Sequence, residues 1–180
     1  LAEQRQAVQY ATTQILAESA TIEAAIQNII KAICETLEWD LGELWMRESG
    51  DETPSLTCTN LWMNPSTELP EFITQMVEIT FNIGVGLPGR IWQTASPHWI
   101  NDVVYDANFE RLESARQDGL HGAFGFPILD DLEVLGVMTF YSTSVRQPEG
   151  NLLDKMADIG RQIGQFIRRK QAELQRKETQ

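Results

Sequence analysis

Apolar residues recur with a helical period near the start of the chain. Between residues 22 and 38 they return every three or four positions and include Ile22, Ile26, Ile29, Ile30, Ile33 and Leu37. This spacing places them on one face of an amphipathic helix. The hydroxyl side chains of Ser19 and Thr21 suit the start of that helix. Residues 1–18 predict a further helix before it.

Two pairs of segments predict β-strands. Residues 41–46 are apolar, residues 56–63 alternate between polar and apolar, and Gly50, Asp51 and Pro54 between them suit a hairpin turn. Residues 122–129 and 134–142 predict two stronger strands. The intervening sequence predicts helices over 70–79, 88–95 and 109–117 and a short strand at 99–100. The region from 81 to 118 is otherwise irregular and dense in Gly, Pro and Trp.

The chain closes with a long predicted helix over residues 149–177. Apolar residues recur in it in steps of four and three, which is a heptad pattern. We call this set the heptad stripe: Leu152, Met156, Ile159, Ile163 and Phe166. One face of the helix is expected to cover the sheet, and Gly160 and Gly164 leave room for close packing. The helix becomes strongly polar beyond Phe166, so we also expect it to act as a coiled connector and to pair with a second copy.

This order of elements predicts an α+β fold, in which helices lie on both faces of an antiparallel sheet. We expect a connector helix over residues 1–20, one domain over 21–167 and a second connector helix over 168–180. The chain has neither an initiator Met nor a signal-peptide pattern. We therefore expect it to be an internal piece of a longer protein, with an output domain after the last helix.

Composition and charge exclude several classes of function. No apolar run approaches the roughly 20 residues of a membrane helix, so no membrane contact is expected. The net charge is −12. The basic residues close to the end of the chain, from Arg168 to Lys177, suit a solvated helix face. The acidic body repels phosphate backbones, so nucleic acid is not an expected partner. Cys34 and Cys58 match no metal-binding pattern, and a reducing cytoplasm is the expected location.

The irregular middle carries the most specific motif. It spells F-x-x-G-x-G-L-P-G-R-x-W, formed by Phe81, Gly84, Gly86, Leu87, Pro88, Gly89, Arg90 and Trp92. Later matching positions are Trp99, Ile100, Asp102, Val103, Gly119, Leu120, the strand 123–128, Val134, Leu135, Gly136, Val137 and Phe140. As a set they resemble a GAF domain of bacterial, especially cyanobacterial, multi-sensor histidine kinases. Residues 159–169 resemble the exit helix of those domains.

The resemblance implies a ligand pocket between one sheet face, the irregular middle and a neighbouring helix. Mapped onto this chain, its wall comprises Leu87, Trp92, Phe109, Leu112, His121, Ala123, Gly125, Thr139 and Tyr141. Strand alternation assigns Ala123 and Gly125 to the pocket face, and Phe124 and Phe126 to the other face. The small residues leave volume for a ligand, but they equally allow Trp92 or a helix to fill the space. The glycine motif is open to two interpretations, a packing loop or a ligand cradle.

The resemblance also bears on cofactors. Relatives with a covalent bilin use a Cys-His pair where this chain has Glu110 and Arg111, so no covalent bilin is expected. The cyclic-nucleotide pattern of other relatives is only loosely echoed here. His98 and His121 could ligate a haem iron, but a lone histidine in a strand is more often held by hydrogen bonds. We therefore predict no cofactor and no metal.

Catalysis is not expected either. Relatives that reduce free methionine sulfoxide depend on several cysteines near the pocket, and Cys34 and Cys58 do not supply that set. The aspartates suit turns and caps, and Asp102 is expected to cap a neighbouring loop, so we predict no catalytic residue.

Two functional hypotheses remain open. In the first, an unknown small molecule binds the domain and alters the packing of its terminal helices, which signal to a kinase domain in the same chain. In the second, the domain binds no ligand and forms a homodimer through its terminal helices.

Overall fold

The computed structural model describes residues 2–48 and 53–178, which form an α+β fold built on one six-stranded sheet. The strands are β1 (Leu41–Arg47), β2 (Leu56–Met63), β3 (Thr80–Phe81), β4 (His98–Ile100), β5 (Gly122–Asp130) and β6 (Glu133–Ser142). The helices are α1 (Ala2–Glu18), α2 (Ile22–Leu37), α3 (Pro70–Glu78), α4 (Gly86–Thr94), α5 (Leu112–Asp118) and α6 (Leu152–Glu178). The predicted fold class is confirmed. Gly50 and Asp51 of the predicted hairpin turn lie outside the described residues.

The sheet has the order β3-β2-β1-β6-β5-β4, and the neighbouring strands pair antiparallel. The first and last strands in sequence, β1 and β6, therefore lie side by side in its centre. Their register places Glu43 opposite Thr139. The pairing brings together residues almost a hundred positions apart, which local sequence patterns do not report.

One face of the sheet is covered by α2 and α6, on which α1 packs, and we call it the helix face. The hydroxyl of Thr21 accepts a hydrogen bond from the N–H of Ala24 at 3.2 Å, which caps α2 as expected. Five of the six predicted apolar residues of α2 are buried, and Ile22 packs against the same core. The predicted amphipathic helix is confirmed.

The heptad stripe of α6 lies in this core, since its five side chains are 0 to 1% exposed. A Cβ atom at Gly160 would overlap the carbonyl oxygen of Pro127, and one at Gly164 would overlap that of Leu129. The two glycines thus let α6 approach the backbone of β5. The expectation that this face covers the sheet is confirmed. The expectation that the heptad stripe also pairs with a second copy needs correction, because its side chains are already buried against the sheet. A second copy would have to contact other side chains of α6.

The opposite face is covered by what we call the lid, which comprises α3, α4 and residues 101–121. The helix predicted over 109–117 begins only at Leu112. The backbone turns before it, and Phe109 and Arg111 are both buried there. The predictions also missed β3 and a 3-10 helix over Val103–Tyr105, which are too short to show a period. Among the described helices, none is both long enough and apolar enough to cross a membrane.

Candidate functional site

Most of the predicted pocket residues converge beneath the lid. Leu87, Trp92, Phe109, Ala123 and Tyr141 belong to one core on the lid face, and each is at most 9% exposed. Thr139 is also buried, and a Cβ atom at Gly125 would contact Ile91 of the lid and Thr139. We call this space the lid compartment. Phe124 and Phe126 lie in the helix-face core, so the assignment of alternate β5 residues to the two faces is confirmed.

Two predicted pocket residues occupy the margin of the compartment. Leu112 is half-buried and packs against the lid-face core from the start of α5. His121 keeps 37% of its side chain exposed. Its Nδ1 lies 3.0 Å from a carboxylate oxygen of Asp102. The same oxygen of Asp102 accepts the N–H of Val104 and caps the 3-10 helix, as expected.

The second histidine, His98, is also held by a hydrogen bond, with Nε2 2.9 Å from the hydroxyl of Thr94. Burial lowers the pKa of His98, and the nearby Arg90 lowers it further. Both histidines are therefore held by hydrogen bonds, as expected, although only His98 lies in a strand.

The centre of the lid compartment holds a buried ion pair that the sequence analysis did not identify. Glu43 of β1 and Arg111 of the lid have side chains that are 0 and 1% exposed. Nη1 of Arg111 lies 2.9 and 3.1 Å from the two carboxylate oxygens of Glu43. Its Nη2 donates to the carbonyl oxygen of Phe72 in α3 at 2.7 Å. Arg111 therefore joins the central strand of the sheet to the lid.

Aromatic and hydroxyl groups surround this ion pair. Nε1 of Trp45 lies 3.2 Å from both Oε1 of Glu43 and Oγ1 of Thr139. The hydroxyl of Tyr141 donates to Oγ1 of Thr139 at 3.0 Å, and burial together with Glu43 raises the pKa of this tyrosine. The guanidinium carbon of Arg111 lies 3.3 Å from the ring centre of Phe72. The compartment is thus filled by the protein's own side chains.

One donor in this network is unused. Nε of Arg111 is buried and has no hydrogen-bond partner among the described residues. Buried polar atoms are nearly always paired in folded proteins, and each unpaired one costs stability. This nitrogen is therefore an unused hydrogen-bond donor beside the ion pair.

The glycine motif attaches one part of the lid to another. Gly84 and Gly86 have φ values of 83° and 66°, which favour glycine. The side chain of Asn108 accepts the N–H of Gly86 at 2.9 Å and donates to the carbonyl oxygen of Gly84 at 3.0 Å. Arg90, the next polar residue of the motif, pairs with Asp106 at 3.1 Å. These contacts agree with the interpretation of the motif as a packing loop.

Neither cysteine has the properties of an activated nucleophile. Cys34 is buried on the helix face, Cys58 is half-buried on β2, and both are free thiols. Burial, reinforced by Glu43, raises the pKa of Cys58 from 9.0 to about 12. Burial also raises the pKa of Cys34. Because the thiolate is the reactive form, both thiols are poorly reactive at neutral pH.

The sequence did contain a signal for one member of the ion pair. Glu43 is the only charged residue between Leu41 and Met46, and alternation assigns it to the same face as Leu41 and Trp45. A carboxylate on a buried face needs a partner. No such signal marks Arg111, because the segment before α5 has no regular period.

The architecture is thus a central antiparallel sheet that is packed on one side by helices and closed on the other by a lid over a buried ion pair. The chain belongs to the GAF domain family, whose family model matches residues 19–168. GAF domains are typically small-molecule-binding regulatory domains. No curated protein matches the chain.

Solved structures share the fold over nearly the whole chain. The GAF domain of a phosphoenolpyruvate-protein phosphotransferase from Coxiella burnetii is 17% identical, with a TM-score of 0.77, and the match covers 96% of this chain and 97% of that one. A free methionine-R-sulfoxide reductase from Neisseria meningitidis, solved with its substrate, is 12% identical, with a TM-score of 0.75 and coverage of 94% and 91%. The GAF domain of A. aeolicus nlh2 in an inactive state is 18% identical, with a TM-score of 0.69 and coverage of 92% and 96%. At these identities the likeness shows the fold alone.

Proposed function

We propose that this domain is the sensor of a larger signalling protein, that a small molecule binds in the lid compartment, and that the terminal helices relay its occupancy. The observation that carries the proposal is the bridge made by Arg111. One of its nitrogens binds Glu43 in the sheet and the other binds the carbonyl oxygen of Phe72 in the lid. A ligand that competes for either bond changes how firmly the lid is attached to the sheet.

Strand β5 supplies the path from the compartment to the terminal helix. Its Ala123 and Gly125 face the lid. The carbonyl oxygens of Pro127 and Leu129, further along the same strand, lie directly against Gly160 and Gly164 of α6. Because no side chain separates the two backbones at this contact, a small displacement of β5 moves α6 as well.

Just beyond the heptad stripe, α6 is attached to the same hairpin. Arg168 pairs with Asp130 at 2.9 Å and with Glu133 at 2.8 Å, at the turn between β5 and β6. These ion pairs are partly exposed and each contributes little stability. They nevertheless orient α6 beyond the heptad stripe. From the resemblance to histidine kinase sensors, we propose that a kinase domain in the same chain receives this signal in the cytoplasm.

We propose that the fragment itself is not an enzyme. The fold is shared with a free methionine-R-sulfoxide reductase, but the thiols of Cys34 and Cys58 have raised pKa values. We expect no reduction of free methionine-R-sulfoxide above the background rate. A turnover that disappears in a Cys58→Ser variant would contradict this assignment.

A second candidate function is that of a ligand-free dimeriser. It is favoured by the filled state of the compartment, in which Trp45, Phe72 and Tyr141 are at most 1% exposed. In that case the homodimer would use side chains outside the heptad stripe. Tyr10 of α1 and Leu174 of α6 are available for this role, since they are 68% and 57% exposed.

Native mass spectrometry of the protein purified from its own host separates the two functions. A reproducible extra mass per chain that is lost on denaturation supports the sensor. A dimer at the bare protein mass supports the ligand-free dimeriser. A bare monomer at micromolar concentration would contradict both. An extra mass that survives denaturation would overturn the expectation that no bilin is covalently attached.

A further inference from the structure

We infer that the ligand of the lid compartment is a small zwitterion of the class of free α-amino acids, with its carboxylate on Arg111 and its ammonium group on Glu43. This inference rests on the proposed ligand-binding function and specifies the chemistry of that same site.

Charge balance in a buried compartment selects this class. Glu43 and Arg111 are withdrawn from water and neutralise each other. A ligand with a single charge would pair with one of them and leave the other buried without a partner, which is strongly unfavourable. A neutral ligand inserted between them would separate the pair without replacing either charge. A zwitterion exchanges one ion pair for two, so the compartment stays neutral and every charge keeps a partner.

The guanidinium of Arg111 has one unused donor that a carboxylate can take when the lid moves. Its Nε is the buried donor without a partner, and a ligand oxygen there would satisfy it. The bond from Nη2 to the carbonyl oxygen of Phe72 need not break. Arg111 can therefore stay attached to α3 while Nη1 leaves Glu43, so the lid carries the arginine with it.

Glu43 is held in place independently of Arg111. Its Oε1 lies 3.2 Å from Nε1 of Trp45 and 3.4 Å from the hydroxyl of Thr139. When Nη1 withdraws, these groups keep the carboxylate oriented toward the compartment. An ammonium group has three N–H donors and would take the position that Nη1 leaves. The site is thus preorganised on the sheet side and adjustable on the lid side.

The rest of the compartment restricts the side chain of the ligand. The surrounding wall is apolar or aromatic, and it includes Leu41, Leu87, Phe109 and Tyr141. A third charge on the ligand would have no counter-charge here and would pay a desolvation cost. We therefore expect amino acids with apolar side chains to bind in preference to those with charged ones.

The test is a thermal-shift titration of the intact chain with apolar L-amino acids at millimolar concentration. Each amino acid is compared with two analogues, the amine that lacks the carboxylate and the acid that lacks the amine. For leucine these are isopentylamine and 4-methylpentanoate. We expect a saturable rise in Tm with at least one amino acid and at least a tenfold weaker effect with both analogues. Equal effects of an amino acid and either analogue, or no shift with any apolar L-amino acid, would overturn the inference.

The matched variant carries Glu43→Gln together with Arg111→Met. It removes both charges while the glutamine can still accept the hydrogen bond from Trp45, so the fold is expected to persist. Circular dichroism and cooperative unfolding verify that it does. The variant should lose the amino-acid shift, whereas Arg90→Met with Asp106→Asn removes an ion pair of the lid's glycine loop and should retain it. An unchanged shift in the Glu43→Gln, Arg111→Met protein would contradict the assignment of the site.

The mass of the ligand bound in the host separates a failure of this inference from a failure of the proposed sensor function. If native mass spectrometry finds a bound compound that lacks one of the two charged groups, the zwitterion assignment fails while the sensor function stands. If no amino acid binds and no host compound is found, both fail.

Discussion

The two faces of the central sheet bury side chains of different chemistry. On the helix face, the strands present Leu44, Phe124 and Phe140 to α2 and α6, and the core is apolar. On the lid face, the same strands present Glu43 and Thr139, which meet Arg111. Adjacent residues of one strand thus belong to two chemically different interiors.

The difference follows from what each interior must do. Apolar packing is strong and non-directional, so a close-packed helix face holds α6 firmly against β5. A buried ion pair adds little net stability, because desolvation offsets the attraction between the charges. It does add a directional polar contact to the apolar packing between the lid and the sheet. In the proposed function, the helix face carries the output element and the lid face carries the input site.

The largest expected effect comes from breaking the ion pair on one side only. Arg111→Met leaves Glu43 buried without its counter-charge and should lower the free energy of unfolding by about 3–5 kcal/mol. Urea denaturation followed by far-UV circular dichroism measures this loss. A change below about 1 kcal/mol would show that Glu43 finds another partner or takes up a proton at little cost.

The double variant Glu43→Gln, Arg111→Met is the control for that loss. It removes both charges, so its stability should lie within about 1 kcal/mol of the original protein. A double variant as unstable as Arg111→Met would mean that the cost arises from lost packing against Phe72 rather than from the unpaired charge.

A smaller effect is expected on the helix face, from Gly160→Ala. In a helix interior this replacement normally stabilises by roughly 0.5–1 kcal/mol. Here the added methyl group would overlap the carbonyl oxygen of Pro127. We expect a net loss of about 1–3 kcal/mol as α6 is pushed from β5. Chemical denaturation again measures it.

The exposed position Ala172 of α6 provides the matched reference. Ala172→Gly should cost up to about 1 kcal/mol through helix propensity alone. If Gly160→Ala stabilised the protein instead, the close approach of α6 to β5 would not be a tight contact, and the proposed path from β5 to α6 would lose its basis.

The last effect is absent at neutral pH and is a dependence of stability on alkaline pH. In the unfolded chain the thiol of Cys58 ionises at its ordinary pKa of 9.0, whereas in the folded chain its pKa is about 12. The folded state therefore holds a proton that the unfolded state has lost. This contribution is complete below pH 9 and declines as pH rises toward 12. The thiol of Cys34 acts in the same direction.

The measurement compares the protein with a variant that carries Cys34→Ala and Cys58→Ala. General charge repulsion at high pH affects both proteins alike, so the difference isolates the thiols. The Tm of the original protein should fall more steeply between pH 8 and pH 10.5. Parallel curves would mean that neither thiol is protected from ionisation by the fold.

The fold was predictable to the extent that burial leaves a periodic trace. The apolar period of α2 and the alternation along β5 correctly assigned their buried faces. The start of α5 was misplaced because Phe109 and Arg111 are buried by tertiary contacts rather than by a helical repeat. The heptad stripe illustrates a further limit, since the same period serves a coiled coil and a helix that covers a sheet.

Most of the residues that were predicted to line a pocket lie beneath the lid, but the buried ion pair among them was not predicted. The glycines, Ala123 and Tyr141 were found through the motif and the strand pattern, which are local. The resemblance places Arg111 only where bilin-binding relatives have the histidine of their Cys-His pair. Its partner Glu43 is 68 positions away, and nothing in either neighbourhood links the two.

The sequence by itself determined the longer helices and strands and, for α2 and β5, which face is buried, because both depend on residues a few positions apart. Only the tertiary structure decided that β1 pairs with β6, that Glu43 meets Arg111, and that the heptad stripe lies against the chain's own sheet. Those outcomes depend on the packing of the entire chain. A periodic pattern shows that a side chain is buried, whereas its partner is selected by every other contact made at once.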